Sequence, residues 1–137
     1  MEPTYSVSEK FFVNRALYKV SSPKRGDVIV FKTSASDSAA LHIRRVIGLP
    51  GETVQVKDGK IYINGKVYEE NGAYQDMTDG GLANSAITLE SGEYFVLGDN
   101  RNNSEDSRYA NIGNNKKDYI IGKAWFRIAP FSEIGFL

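Results

Sequence analysis

Short apolar runs separated by turn residues dominate the hydrophobic pattern of this chain. Residues 28–31 (VIVF) and 93–97 (EYFVL) are almost continuously apolar and rich in β-branched or aromatic side chains, which predicts buried strands. Residues 59–68 (GKIYINGKVY) carry strand-forming side chains on both sides of Asn64-Gly65. That dipeptide favours the positive φ angles of a tight turn, so the segment is predicted to be a hairpin.

Three other segments have weaker patterns. Residues 9–20 (EKFFVNRALYKV) fit either two short strands or a helix. Residues 33–40 (TSASDSAA) are small and polar, which predicts a loop. Residues 119–128 alternate loosely around Gly122 and are predicted to form a final strand that ends before Pro130-Phe131.

The longest stretch without periodicity is 69–85 (EENGAYQDMTDGGLANS), which is rich in glycine, asparagine and aspartate. We predict a loop there, belonging to a variable insertion that extends over about residues 69–92. No internal repeat and no long helical pattern is found in the sequence. The chain is therefore predicted to be one mainly β domain spanning residues 1–137, a β-barrel or sheet domain with a small insertion.

A strand that runs into a Pro-Gly turn, 42–52 (HIRRVIGLPGE), contains two polar side chains on one face. Side chains alternate along a strand, so His42 and Arg44 share a face at a separation of about 7 Å. This pair is compatible with a functional site, but strand statistics alone favour an ordinary solvated strand face.

Composition excludes several kinds of chemistry. The 17 basic and 17 acidic residues balance, so no excess of positive charge supports nucleic acid as a partner. The absence of cysteine excludes thiol catalysis and cysteine-ligated zinc, and a single histidine excludes a histidine-rich metal site. No apolar run reaches the length of a membrane span and no signal peptide is present, so this chain alone is predicted to be soluble.

The most polar segment, 98–109 (GDNRNNSEDSRY), directly follows a strongly apolar strand. Its residue types favour a solvated loop, because their side chains bond to nearby backbone. The alternative is a rigid loop held by Asp–Arg pairs, with Ser104 and Ser107 supplying hydroxyl groups. The residues available for such pairs are Asp99, Arg101, Asp106 and Arg108.

Two further groups of residues were considered as sites. The carboxylates Asp58, Glu69 and Glu70 do not have the spacing of a calcium loop, so no metal site is predicted. The aromatic residues on strand-like runs are predicted to pack in the core, with a binding groove as the alternative. These aromatic residues are Phe11, Phe12, Phe31, Tyr62, Tyr94, Phe95, Trp125 and Phe126.

Four segments in order closely resemble the motifs of the type I signal peptidases. They are 1–4 (MEPT), 26–32 (GDVIVFK), 44–52 (RRVIGLPGE) and 98–109 (GDNRNNSEDSRY). The resemblance covers nearly the whole chain, and the spacing from Gly-Asp-Asn to Asp-Ser-Arg in the last segment is highly specific.

The resemblance implies a Ser/Lys endopeptidase that removes signal peptides from exported preproteins. It implies a mainly β catalytic domain on the extracytoplasmic side of the cell membrane, held by an anchor before the residues printed here. Its partners would be the signal peptides of exported preproteins, and it implies no cofactor and no metal.

Two positions depart from the family pattern. The resemblance places the nucleophilic serine directly before the Met-x-Pro-Thr segment, so it would precede Met1 and is not in this chain. The lysine that acts as general base is replaced by Arg44. Arginine stays protonated in proteins and carries donors only, so it cannot take a proton from serine.

Three interpretations follow from these departures. The favoured one is a catalytically inactive homologue that still binds peptide. The second is an active signal peptidase, truncated at its amino end, with an atypical base. The third is a relative of the self-cleaving repressors, which share a Ser/Lys β core.

The resemblance also assigns supporting and substrate-binding residues. Ser104 is the hydroxyl that orients the lysine amine, Asp106 and Arg108 form a structural pair beneath the site, and Asp99, Asn100 and Arg101 shape the loop. Substrate is expected to bind as an added strand in a groove. The residues predicted to contact it are Met1, Glu2, Pro3, Asp27, Val28, Ile29, Val30, Phe31 and His42.

His42 is a candidate for a replacement base. Histidine is a competent base near neutral pH. However, it lies two residues before the lysine position, and about 7 Å along a strand exceeds hydrogen-bond reach to a serine placed for position 44. We therefore disfavour His42 as the base.

Overall fold

A computed structural model describes residues 10–36, 38–129 and 135–136, and strands dominate these residues. Within them, the strands form two antiparallel sheets of seven and four strands. The one α-helix in these ranges, α1, is a single turn at Leu17–Val20, and none of their helices is long and apolar enough to cross a membrane. The prediction of a mainly β domain is confirmed.

The strands are numbered in chain order. They are β1 (Lys10–Asn14), β2 (Val28–Lys32), β3 (Leu41–Gly48), β4 (Thr53–Lys57), β5 (Lys60–Ile63), β6 (Lys66–Val67), β7 (Ile87–Thr88), β8 (Glu93–Leu97), β9 (Asn115–Lys116), β10 (Ile120–Ala129) and β11 (Gly135–Phe136).

The larger sheet has the spatial order β1-β10-β2-β3-β8-β9, and β11 also pairs with β10. The strands predicted at 28–31, 93–97 and 119–128 correspond to β2, β8 and β10. Residues 9–20, which fitted either strands or a helix, form β1 followed by α1. Strand β2 is central, because β10 pairs with one of its edges and β3 with the other.

The smaller sheet has the order β6-β5-β4-β7 and is built from tight hairpins. Asn64 and Gly65 have φ angles of 51° and 81° between β5 and β6, which confirms the predicted hairpin. Asp58 and Gly59 have φ angles of 53° and 77° between β4 and β5. Paired positive φ angles match the right-handed twist of adjacent strands, so both turns close without splaying them.

The turn between Gly48 and Thr53 carries the chain from the larger sheet into the smaller one. Arg25 donates to both carboxylate oxygens of Glu52 at 2.7 Å. The same carboxylate accepts the backbone N–H of Leu49 at 2.7 Å. A side chain at Gly48 would come within 2.6 Å of Val54 Cγ2, so only glycine fits where the two sheets meet.

The core consists of several hydrophobic clusters. One cluster, which includes Phe95, packs the larger sheet against the smaller sheet, and another, which includes Phe31 and Tyr94, contains no residue of the smaller sheet. Phe31, Tyr94 and Phe95 are buried, as predicted. Phe12 and Trp125 are 53% and 37% exposed, so the prediction that they are core residues is wrong. Phe12 lies on β1, the first strand in the order of the larger sheet, and Trp125 lies on its neighbour β10.

Residues 69–85 are less independent of the domain than a loop prediction suggests. Met77 and Ala83 are buried in the core, and Gly81–Asn84 form a 3₁₀ turn. Within 69–92, strand β7 adds to the smaller sheet and Leu89 is 1% exposed. Isolated apolar residues among glycines give no periodicity, so the sequence pattern did not reveal this packing. The variability of the segment stays a prediction.

Candidate active site

Strand β3 has an open edge at its amino-terminal half. On one side it pairs with β2 from Leu41 to Arg45. On the other side it pairs with β8 only from Arg45 onward, where Arg45 lies opposite Leu97. Within the described residues, therefore, Leu41–Arg44 have no neighbouring strand on that side, and Arg44 is the last position of the open edge.

The Arg44 side chain lies across this edge. Its Nε donates to the carbonyl of Glu105 at 2.8 Å and its Nη1 donates to the carbonyl of Ile43 at 2.6 Å. Burial lowers the pKa of Arg44, and the carboxylates of Asp106 and Glu105 oppose that shift. The guanidinium still has only donors to offer, so it cannot serve as a base.

Ser104 lies beside Arg44. Its Oγ is shielded from solvent and has no hydrogen-bond partner among the residues that the structure describes. A Cβ placed on Gly98 would overlap Ser104 Oγ and would lie 3.6 Å from Arg44 Cδ. The structure thus brings together the two residues that the resemblance assigns to the base position and to its supporting hydroxyl.

The pair beneath the site is present. Arg108 Nε and Nη2 donate to the two carboxylate oxygens of Asp106 at 2.8 and 2.9 Å, and both side chains are buried. Asp106 also accepts the N–H of Gly98 at 3.1 Å, and Ser107 Oγ accepts the N–H of Val96 at 2.9 Å. These bonds fold the polar loop back onto the end of β8, and the predicted pairing of Asp106 with Arg108 is observed.

The other charged residues named for such pairs, Asp99 and Arg101, bond to residues outside the loop. Asp99 accepts two hydrogen bonds from Arg45, at 2.9 and 2.8 Å, and Arg101 donates to both oxygens of Glu70 at 2.6 and 2.7 Å. The Tyr74 ring lies 4.2 Å from the guanidinium carbon of Arg101. Sequence reasoning missed Arg45, Glu70 and Tyr74 as partners because they lie far from the loop in the chain.

His42 and Arg44 share a face of β3, as predicted. The His42 ring stacks on Phe31 with centroids 5.5 Å apart. Burial lowers the pKa of His42, the positive charge of Arg44 lowers it further, and Glu105 opposes both effects.

Strand β2 is not positioned to accept a peptide strand. Val28, Ile29, Val30 and Phe31 are buried, and β10 and β3 occupy both edges of the strand. Strand β2 therefore offers no free edge from Ile29 to Phe31. Direct contact of these residues with a peptide stays a prediction.

Asp27, another predicted substrate-binding residue, has partners on α1 and β10. Asp27 accepts a hydrogen bond from the hydroxyl of Tyr18 at 2.7 Å and pairs with Lys123 at 3.3 Å. Met1, Glu2 and Pro3 lie outside the described residues. Across the described ranges, no group of three or more acidic or histidine side chains is placed to hold a metal ion.

The two-sheet β fold, with a buried Asp-Ser-Arg loop under the end of a strand, defines the class as a mainly β domain. The chain belongs to the family described as signal peptidase, peptidase S26, which matches residues 1–129.

Two relatives and one solved structure illustrate the similarity. A probable signal peptidase I-2 of Synechocystis is 35% identical over 146 residues, covering 100% of this chain and 62% of the relative. Signal peptidase I T of Bacillus subtilis is 36% identical over 141 residues, covering 98% of this chain and 72% of the relative. A signal peptidase I crystal structure from Enterococcus faecalis has a TM-score of 0.60 and 34% identity, covering 75% of this chain and 97% of that chain.

Proposed function

We propose that this chain is a signal-peptidase-family protein that no longer hydrolyses peptides by the Ser/Lys route and still binds extended peptides. The observation that carries the proposal is Arg44 in the position of the lysine base. Desolvation can make a lysine neutral, but a guanidinium stays protonated and offers no lone pair to a serine proton.

The open edge of β3 supports peptide binding. Backbone groups of alternate residues point to opposite sides of a strand, and those of Arg45 face β8. The backbone N–H and C=O groups of Ile43 and Leu41 therefore face the open side, where an added peptide strand could form hydrogen bonds with them. The proposed ligands are the signal-peptide regions of exported preproteins.

The proposal extends to location. The family resemblance supports a place at the cell membrane, with this domain on the extracytoplasmic side and an anchor preceding the residues described. A membrane-extraction experiment on cells expressing the complete gene product tests this part, and recovery in the cytoplasmic fraction would contradict it.

The test of catalysis compares Arg44 with lysine at the same position. The complete gene product is prepared with a serine directly before Met1, as the wild-type arginine form and as Arg44→Lys. We expect the arginine form to cleave a preprotein at background rate and the lysine form to cleave at least about a hundredfold faster, because a positioned base contributes roughly that much or more.

The exposed Arg15 provides a matched control, since Arg15→Lys makes the same chemical change far from β3. Cleavage by the Arg44 form at a rate close to that of the lysine form would contradict the proposal. So would covalent labelling of the Arg44 form by a serine-directed acylating inhibitor. An inactive Arg44→Lys form that melts at the wild-type temperature would show that Arg44 is not the reason for lost activity.

A further inference from the structure

Hydrogen-bond donors without protein partners converge where the open edge of β3 ends. Arg44 uses Nε and Nη1 on carbonyl oxygens, and its Nη2 has no partner within the described residues. The hydroxyl of Ser104 beside it is buried and without a partner in the same part of the chain. Unsatisfied buried polar groups are uncommon in native proteins, so this corner is suited to a ligand that accepts hydrogen bonds.

The nearby carboxylates do not accept hydrogen bonds from these donors among the described residues. Asp106 is fully buried and bonded to both Nε and Nη2 of Arg108. The carboxylate of Glu105 accepts a hydrogen bond from Asn111 at 3.1 Å, and only its backbone carbonyl bonds to Arg44. The Arg44 guanidinium therefore has no direct ion pair among the described residues, although it is half-buried.

The edge itself limits how a peptide can lie there. Strand β8 closes the edge from Arg45 onward, so an added strand beside Leu41–Ile43 must end or turn away at Arg44. A strand that runs parallel to β3 would bring its carboxyl end to this point. The planar guanidinium fork accepts a carboxylate with two parallel hydrogen bonds, which a lysine amine cannot do.

We propose that Arg44 and Ser104 bind the free C-terminal carboxylate of a peptide that lies along the open edge of β3. This inference rests on the peptide binding proposed above and names its ligand as a peptide already cut, since an uncut preprotein has no carboxylate at this point. On binding, a peptide N–H replaces Arg44 Nη1 at the Ile43 carbonyl, and the released guanidinium nitrogen donates to the carboxylate.

The test uses fluorescence anisotropy with three labelled peptides and the complete gene product. The first is a ten-residue peptide that ends in alanine with a free carboxylate, and the second is the same peptide with a C-terminal amide. The third is also amidated and carries an aspartate near its end, as a side-chain source of carboxylate. We expect the free acid to bind roughly tenfold tighter than either amide, the range for charge-assisted hydrogen bonds.

Variants then identify the side chains responsible for the preference for a free carboxylate. Arg44→Gln should reduce the ratio of acid to amide affinity to about one while the amide still binds, because glutamine has no charge. Ser104→Ala should lower the ratio in part. Arg15→Gln removes an exposed arginine elsewhere and should leave the ratio unchanged. Melting temperatures within experimental error of wild type exclude unfolding as the cause.

The outcomes are distinguishable. Equal affinity for the free acid and its amide would overturn the carboxylate site and leave the proposed peptide binding intact. Tight binding of the amidated aspartate peptide, equal to that of the free acid, would overturn the assignment to the chain terminus. Binding of none of the peptides would overturn both this site and the proposed function.

Discussion

Two adjacent arginines on β3 have different surroundings. Arg45 faces one side of the sheet, where it bonds to both oxygens of Asp99 and to the carbonyl of Gly26 at 2.9 Å. Arg44 faces the other side, where its hydrogen-bond partners within the described residues are two backbone carbonyls. The alternation of a strand thus places the two arginines on opposite faces of the sheet, with different partners.

The single histidine reports on the charge of Arg44. Because burial and the Arg44 charge both disfavour the imidazolium, we expect His42 to titrate below its ordinary pKa of 6.5. In Arg44→Gln the repulsion is removed, and the pKa of His42 should rise. The measurement is an NMR titration of the ring protons, which one histidine keeps free of overlap.

Arg15→Gln is the control for this titration and should not move the midpoint. An unchanged His42 pKa in Arg44→Gln would mean that the two side chains do not interact as the structure places them.

At the scale of elements, residues 69–81 support the loop that carries Ser104. Glu70 pairs with the 1%-exposed guanidinium of Arg101, and Arg108 Nη1 donates to the carbonyl of Asp79 at 3.0 Å. The N–H of Thr78 donates to Asn102 Oδ1 at 2.9 Å. Three contacts spread along the segment hold the polar loop from the side opposite β8.

We expect Glu70→Ala to lower the free energy of unfolding by about 3 kcal/mol, because it leaves the buried charge of Arg101 without its carboxylate. Asp76→Ala, in the same segment, removes an exposed pair with Lys60 and should cost less than about 1 kcal/mol. Urea unfolding of both variants provides the comparison. Similar losses for the two would show that Glu70 is no more important to the loop than a surface carboxylate.

The difference between local and distant partners explains what the sequence could predict at this scale. Asp106 and Arg108 are two residues apart, and their pairing could be proposed from the loop itself. Glu70 and Arg101 are 31 residues apart, and no periodic pattern connects them. Such pairs form only when the two sheets have packed, so their partners follow from tertiary structure.

For the whole molecule, the turn that joins the two sheets depends on one carboxylate. The hydrogen bond from Arg25 and the N–H of Leu49 lower the pKa of Glu52, against the opposing effect of burial. The backbone of this turn is also held by Leu89, whose N–H donates to the carbonyl of Glu52 at 2.8 Å. Protonation of Glu52 therefore weakens the connection between the sheets.

The pKa of Glu52 is lower in the folded protein than its unfolded value of 4.5. Its contribution to stability is therefore complete above pH 4.5 and is lost as pH falls through the folded-state pKa. The pKa of His42 is also lowered from its ordinary value of 6.5, so its contribution to stability is likewise lost as pH falls, but at higher pH than that of Glu52. We expect Glu52→Gln to lower the free energy of unfolding at pH 7 by about 2 kcal/mol and to flatten its fall in acid. Urea unfolding at several pH values measures both.

The exposed Glu90, changed to glutamine, is the control. If Glu90→Gln flattens the fall of the unfolding free energy in acid as much as Glu52→Gln does, the Arg25–Glu52 pair does not cause that fall.

Alternation, apolar runs and turn dipeptides were sufficient to predict the β class, the hairpin at Asn64-Gly65 and the strands β2, β8 and β10. The order of strands was not predictable in this way, because β10 pairs between β1 and β2 although about 90 residues separate it from β2 in the chain. The edge of β3 that has no neighbour in the described part of the chain follows from that order and from where β8 ends.

An open strand edge is also where a second copy of a protein can add, which leads to association between folded molecules. At Ile43 the carbonyl that would begin such pairing is already bonded to the guanidinium of Arg44. A second copy would have to displace a charged group and offer nothing to neutralise it. Among the described residues, the Arg44 side chain thus occupies a backbone acceptor that a second copy would need in order to pair at this edge.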